Sequence, residues 1–267
     1  MIGPLPSFDA ALVLRVEGDV LYSHGDVDRV FPLASVTKPI VAWSVLVAVG
    51  RGLVGLDDPA GPEGSTVRHL LAHASGLPFE GRRPVAAPGK RRIYSNEGFD
   101  VLGEVLAGAT GVSVVQWVRA SVFEPLGMSS ADIQGSPAHA GLASADDLSL
   151  FGAELARPTL VSAPLAALAG LSQFPALAGV VPGYGRFAPC PWGLGVEIRG
   201  EKSPHWTAPD ASARTIGHFG QSGSFVWADP DLGASAVFVG AQPFGPWHHD
   251  NWASLNASLL ALARERS

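Results

Sequence analysis

Ser35 and Lys38 stand three residues apart at the head of the apolar run "PLASVTKPIVAWSVLVAVGRG" (residues 32–52). If a helix begins there, the two side chains share one face. A serine hydroxyl is a weak nucleophile until a base removes its proton, and a lysine can be that base only when neutral. Burial can make it so, because desolvation lowers a lysine pKa while an arginine stays charged. The chain holds three lysines, Lys38, Lys90 and Lys202, among eighteen basic residues, so a lysine before an apolar stretch departs from its usual choice of arginine. Neutrality near pH 7 requires the pKa to fall by about 3 units, roughly 4 kcal/mol. Taken alone, the spacing fits another reading equally well: Ser35 as a helix cap and Lys38 as a solvated first-turn residue.

Two further strings could contribute chemistry. "YSN" (Tyr94, Ser95, Asn96) precedes a helical pattern, where a loop could present a phenol and an amide. "HFG" (His218, Phe219, Gly220) lies inside a strand pattern, and a glycine there often marks close approach of another backbone or a ligand. Each has a plain alternative: a half-buried tyrosine, Asn96 as an N-cap, a strand bulge at Gly220.

The elements that must position these residues follow from periodicity and punctuation. Residues 11–25 ("ALVLRVEGDVLYSHG") read as two strands joined by a tight Glu17-Gly18-Asp19 turn. The run after Lys38 reads as a buried helix ended by Gly50 and Gly52. Helical pieces follow: "TVRHLLAHA", "NEGFDVLGEVLAGATG", "SVVQWVRASVFEPLG" starting at Ser113, and "SADDLSLFGAELAR" starting at Ser144. Beyond "VPGYGRFAPCPWG" three more strands are expected, in "GLGVEIRG", "ARTIGHFGQSGSFVWADPD" and "GASAVFVGAQ". A final amphipathic helix, "NWASLNASLLALARER", closes the chain, with "WHHDNW" as a loop rim and helix start capped by Asp250 or Asn251. Strands from both termini and helices between them predict an α+β fold. One antiparallel sheet is built from the two chain ends, flanked by helices, with a mostly helical region inserted. The expected organisation is a single domain over 1–267, its α/β part about 1–50 and 185–267 and its helical part about 51–184.

Composition excludes several classes. A net charge of −6 leaves no basic footprint for nucleic acid. The longest apolar run, residues 39–50, is too short to span a bilayer. The first residues lack the basic and apolar segments of a signal peptide, and one cysteine, Cys190, fits a reducing compartment. A cytoplasmic location is therefore expected. His69 and His73 are four apart but lack the accompanying glutamate of a metalloprotease helix. No metal and no cofactor are expected, and no Gly-x-Ser-x-Gly elbow is present.

In this order, the Ser-x-x-Lys, Tyr-x-Asn and His-x-Gly strings resemble those of the serine β-lactamase and penicillin-binding-protein superfamily. The nearest branch is class C, with its esterases and D-aminopeptidases. "HLLAHASGLP", "FEPLGM", "GLASADDLSLFG", "WGLG" and "GHFGQSGSFVWADP" support it over nearly the whole chain. The resemblance implies Ser35 as nucleophile, Lys38 as general base and Tyr94 as proton shuttle. The backbone N–H groups of Ser35 and Gln221 would form the oxyanion hole. Asn96, His218, Phe219 and Gly220 would line the substrate site, with Trp192, Trp206 and Trp247 in loops that flank the cleft in relatives.

The departures bear on substrate. His218 stands where many penicillin-recognising members carry a permanent lysine charge, and Phe219 replaces a small hydroxyl residue. Both changes favour an uncharged ester or amide, although Arg214 nearby in sequence could restore a charge. The first expectation is an esterase on small neutral acyl substrates, with a short chain leaving an open cleft. The alternatives are a D-amino-acid peptidase or amidase, a weak β-lactamase, or a ligand-sensing module without turnover. The partner expected is a small-molecule substrate; the sequence leaves the oligomeric state open, with a monomer compatible.

Overall fold

The computed structural model describes residues 2–266. Strands β1 (Ala10–Val16) and β2 (Asp19–His24) form a hairpin whose Glu17 and Gly18 both take positive φ, 49° and 88°. That is the turn geometry matching the strands' right-handed twist. β3 (Val30–Ala34) leads into helix α1 (Thr37–Gly50). The helical segment follows with α2 (Val67–Leu71), α3 (Glu97–Thr110) and α4 (Val114–Val118). A π-helical turn, Arg119–Phe123, runs on into α5 (Glu124–Leu126). Next come β4 (Asp132–Ile133), β5 (Gly141–Ser144), α6 (Ala145–Ala156) and α7 (Ala163–Ala169). A small hairpin, β6 (Gly179–Val181) and β7 (Gly185–Phe187), precedes β8 (Glu197–Ile198), β9 (Ile216–Gly220), β10 (Ser224–Asp229), β11 (Ala234–Gly240) and α8 (Pro246–Arg266).

The large sheet has the order β2-β1-β11-β10-β9-β8, antiparallel throughout, so the first and last strands of the chain pair at its centre. Both its faces are covered, which explains why its central strands read as nearly continuous apolar runs. Side-chain alternation divides each strand between two cores. Ala11, Val13, Val226, Val237 and Val239 join α1 and α6 on one face. Leu12, Leu14, Phe225, Trp227 and Phe238 meet Trp252, Leu255 and Leu259 of α8 on the other. The fold is the expected α+β arrangement, with the helical segment inserted between β3 and β8.

Three local expectations are corrected. α2 is a single short element, because Thr66 caps its start and His73, at φ 54°, turns the chain away. α8 begins at Pro246, ahead of the expected cap at Asp250 or Asn251, so "WHHDNW" is helix throughout rather than a loop rim and helix start; Pro246 is compatible with a first helical turn, and His248 and Trp252 are buried. The second sheet, β3-β5-β4, has no counterpart in the expected elements. No single described helix is long and apolar enough to cross a membrane.

Candidate active site

Ser35 sits in the turn between β3 and α1. Ala34 before it takes φ 44°, a left-handed conformation strained for alanine. Thr37 holds the turn, its Oγ1 donating to Ala34 O (2.7 Å) and accepting from Gly141 N–H (2.9 Å). Ser35 is not the helix cap: that position belongs to Val36, and no side chain caps it.

Lys38 is not solvated either, being 0 % exposed. Its Nζ lies 2.6 Å from Asn96 Oδ1, 2.9 Å from Ala138 O and 3.4 Å from Ser35 Oγ. The first two partners can only accept. A neutral amine would therefore spend both hydrogens on them and turn its lone pair to Ser35. Burial drives the Lys38 pKa down to about 7, against a smaller upward pull from Asp100. Asn96 occupies the cap position of α3, but its side chain makes no cap bond; it is turned to Lys38.

Tyr94 completes the group. Its ring lies 4.7 Å from Lys38 Nζ, and its hydroxyl contacts Ser35 and lies 3.3 Å from His218 Nε2. Burial pushes the phenol pKa well up, with Ser35 opposing slightly. Burial, aided by the Lys38 charge, pushes His218 down to about 4, so the imidazole is neutral at pH 7.

β9 brings the third string against the nucleophile. A Cβ on Gly220 would lie 2.4 Å from Leu33 O and 3.1 Å from Ser35 N, so only glycine permits this approach. Ser224, opposite Gly220 in β10, donates to Leu33 O (2.8 Å) and pins the contact. Ser35, Tyr94, His218, Phe219 and Gln221 border one cavity of about 260 Å³, walled also by Phe79, Val181, Pro182, Trp192 and Glu197. The structure thus brings together Ser35, Lys38, Tyr94, Asn96, His218, Phe219, Gly220 and Gln221. Phe79, Trp192 and Phe219 give the cavity aromatic walls.

Other residues fall elsewhere. Trp206 lies under Phe219, ring centres 5.9 Å apart, and Trp247 packs on Phe8 across the sheet. Arg214 pairs with Asp231 (2.6 Å) and borders a separate cavity with Trp43 and Leu155, so it does not restore a charge beside His218. His69 stacks on Phe174 and bonds Thr66, while His73 faces Tyr94 (4.4 Å).

Two contributors escape the sequence reading. His73 Nδ1 accepts from Ser95 N–H (3.1 Å) and its O accepts from Ile93 N–H (2.8 Å), fixing the Tyr94 loop from below. Its left-handed φ after α2 is the local trace of that role. Glu197, 2 % exposed in the cavity wall, accepts from Lys202 (2.8 Å), His205 Nε2 (3.0 Å) and Trp206 Nε1 (2.8 Å). Burial would raise its pKa, but Lys202 and His205 outweigh that and hold the carboxyl well below its usual range. Spacings of five and eight residues across a loop carry no local signal for this cluster.

The model of one family, Beta-lactamase, matches residues 9–260. The chain belongs to the beta-lactamase family. Members of this family are serine hydrolases, esterases and peptidases among them. A solved beta-lactamase from Mycobacterium bovis is 48% identical with a TM-score of 0.94, the match covering 96% of this chain and 95% of that one. Penicillin-binding protein 4* of Bacillus subtilis (strain 168) is 27% identical over 48% of this chain and 38% of its own length. Esterase EstB of Burkholderia gladioli is 34% identical over 45% of each. The chain thus matches less than half the length of these two curated relatives.

Proposed function

We propose that this family member is a serine hydrolase that is acylated on Ser35 and hydrolyses small, uncharged acyl esters. Lys38 takes the Ser35 proton through its lone pair. The N–H groups of Ser35 and Gln221 receive the oxyanion where β9 meets the head of α1, a preorganised donor pair of the kind that stabilises tetrahedral intermediates. Tyr94 borders both the serine and the space for the leaving group.

The character of the cavity carries the substrate assignment. Its described lining includes no lysine or arginine, His218 is neutral, Phe219 offers no hydrogen bond, and Glu197 is anionic. A substrate carboxylate would be desolvated there without a partner, which costs several kcal/mol. The esterase among the relatives agrees with this reading.

The test compares p-nitrophenyl butyrate with the p-nitrophenyl half-ester of succinate, close in size but carrying a carboxylate. The neutral ester is expected to lead in kcat/KM by about 10²-fold, the effect of one uncompensated buried charge. Benzylpenicillin should behave like the half-ester. Equal or better turnover of the carboxylate-bearing substrates would remove the assignment.

A further inference from the structure

The cavity over Ser35, about 260 Å³, is smaller than the roughly 300–1,000 Å³ common in small-molecule sites. It has room for one part of an ester, and the other part must extend through the mouth. Most of the lining is buried; its exposed members are Phe79, Pro182 and Gln221, and these form the mouth. Gln221 offers its N–H to the oxyanion, so the carbonyl oxygen of the substrate lies on that side. Phe79 lies instead beside Tyr94, which borders the leaving group. Their ring centres are 6.2 Å apart and their planes 23° from parallel.

Phe79 differs from the other apolar rings of the wall. Trp192 and Phe219 are 4 % and 6 % exposed, Phe79 52 %. Its backbone is nevertheless fixed. The Phe79 carbonyl accepts from the N–H groups of Asn96 (2.9 Å) and Glu97 (3.4 Å), and Ser95 Oγ donates to Pro78 O (2.6 Å). The string that carries Tyr94 thus also holds the segment that presents Phe79. Among the described residues Tyr94 is the one ring in contact with it.

An apolar ring held in place with half its surface in water gains free energy when it is covered. Because it is already ordered, little entropy is lost when a ligand settles on it. A second ring can meet it in the offset or edge arrangements that aromatic pairs prefer, at centroid distances of about 4.5–7 Å. No lysine or arginine borders the cavity, so nothing in its wall calls for a charged group at this place.

We infer that Phe79 is a specificity-determining residue that receives an aromatic ring on the alcohol part of the ester, so that the substrates are aryl or arylmethyl esters of small acids. The inference deepens the esterase reading and rests on acylation of Ser35 with the leaving group beside Tyr94. Phe79 touches no reacting atom; its contribution is to recognition and falls mainly on KM.

The experiment compares benzyl, cyclohexylmethyl and ethyl acetate, followed by acid release. All three leaving groups are primary alcohols, and the first two are alike in size and shape, so the aromatic face is what separates them. In the wild type kcat/KM for benzyl acetate should exceed that for ethyl acetate by about tenfold or more through apolar burial. It should exceed that for cyclohexylmethyl acetate by about fivefold, the value of an aromatic pair beyond its area. Phe79→Leu keeps an apolar side chain without a ring, so the benzyl-to-cyclohexylmethyl ratio should fall to about one. Phe79→Ala should also reduce the benzyl-to-ethyl ratio several-fold. Ratios within one protein are insensitive to partial loss of fold, and if neither variant folds the wild-type series decides alone. Equal wild-type rates on benzyl and cyclohexylmethyl acetate, or a benzyl preference that survives in both variants, would overturn the inference. So would an aromatic preference confined to the acyl side, seen as ethyl phenylacetate over ethyl cyclohexylacetate and lost in Phe79→Ala. Benzyl acetate hydrolysis that survives Ser35→Ala would instead overturn the acyl-enzyme reading beneath it.

Discussion

Lys38→Met is expected to lose about 10³-fold in kcat/KM, within the usual range for a general base, while remaining about as stable as the wild type at pH 7. Lowering the lysine from 10.5 to about 7 on folding corresponds to roughly 5 kcal/mol of destabilisation at low pH. Methionine escapes that cost but leaves Asn96 Oδ1 and Ala138 O without their donor, about 1–3 kcal/mol each. The two terms nearly cancel.

The sign of the pH dependence separates them. Between pH 7 and 10.5 the unfolded chain holds a proton on Lys38 that the folded chain has largely lost. Native stability therefore falls as pH drops through this window, reaching its full penalty below about 7, and recovers as pH rises. Urea midpoints at about pH 6 and about pH 9 should show the wild type gaining on Lys38→Met at the higher pH. Wild-type kcat/KM should rise with pH through about 7 as the amine becomes neutral. A flat profile, or a variant that keeps its activity, would remove Lys38 as base.

Gly220→Ala is expected to cost about 10²–10³ in kcat, the value of losing one oxyanion donor. The new Cβ would sit 2.4 Å from Leu33 O, 2.8 Å from Ser224 Oγ and 3.1 Å from Ser35 N. The first two contacts are too short to persist, so β9 and the turn carrying Ser35 must separate. That separation moves the Gln221 and Ser35 amides apart. Gly217→Ala supplies the control on the same strand. Its Cβ would meet Val226 O at 2.2 Å and Trp206 at 3.0 Å, on the side of β9 away from Ser35. It should lower stability by about 1–3 kcal/mol through overpacking, with a much smaller loss of kcat per folded molecule. Equal kcat losses in the two variants would mean that Gly220 acts only through packing.

The residues that converge on Ser35 were legible because each belongs to a short string with its own backbone requirement. The Ser-x-x-Lys string needs a turn followed at once by a helix, and β3 and α1 provide it. Gly220 needs a place where two backbones meet, and β9 provides that. The central strands and α1, α3 and α6 were legible from apolar period and punctuation, and the Glu17-Gly18 turn from its residue types. The small sheet was not, because its strands are short and β3 pairs with β5 across more than a hundred residues, leaving little local pattern. The start of α8 was hidden by "WHHDNW", whose polar and aromatic residues lack a clean stripe yet bury His248 and Trp252 against the sheet. That the His218 ring lies between Tyr94 and Phe219 O is a matter of tertiary packing, which no string encodes.

The most direct measurement is intact-protein mass spectrometry of the wild type and Ser35→Ala during turnover of p-nitrophenyl acetate, with nitrophenol followed in parallel. Wild type should carry one acetyl group, mapped by peptide digestion to Ser35, and release nitrophenol in a burst followed by steady turnover. Ser35→Ala should show neither adduct nor burst. Turnover at the wild-type rate by Ser35→Ala, or an acetyl group mapped to another residue in the working enzyme, would contradict acylation of Ser35.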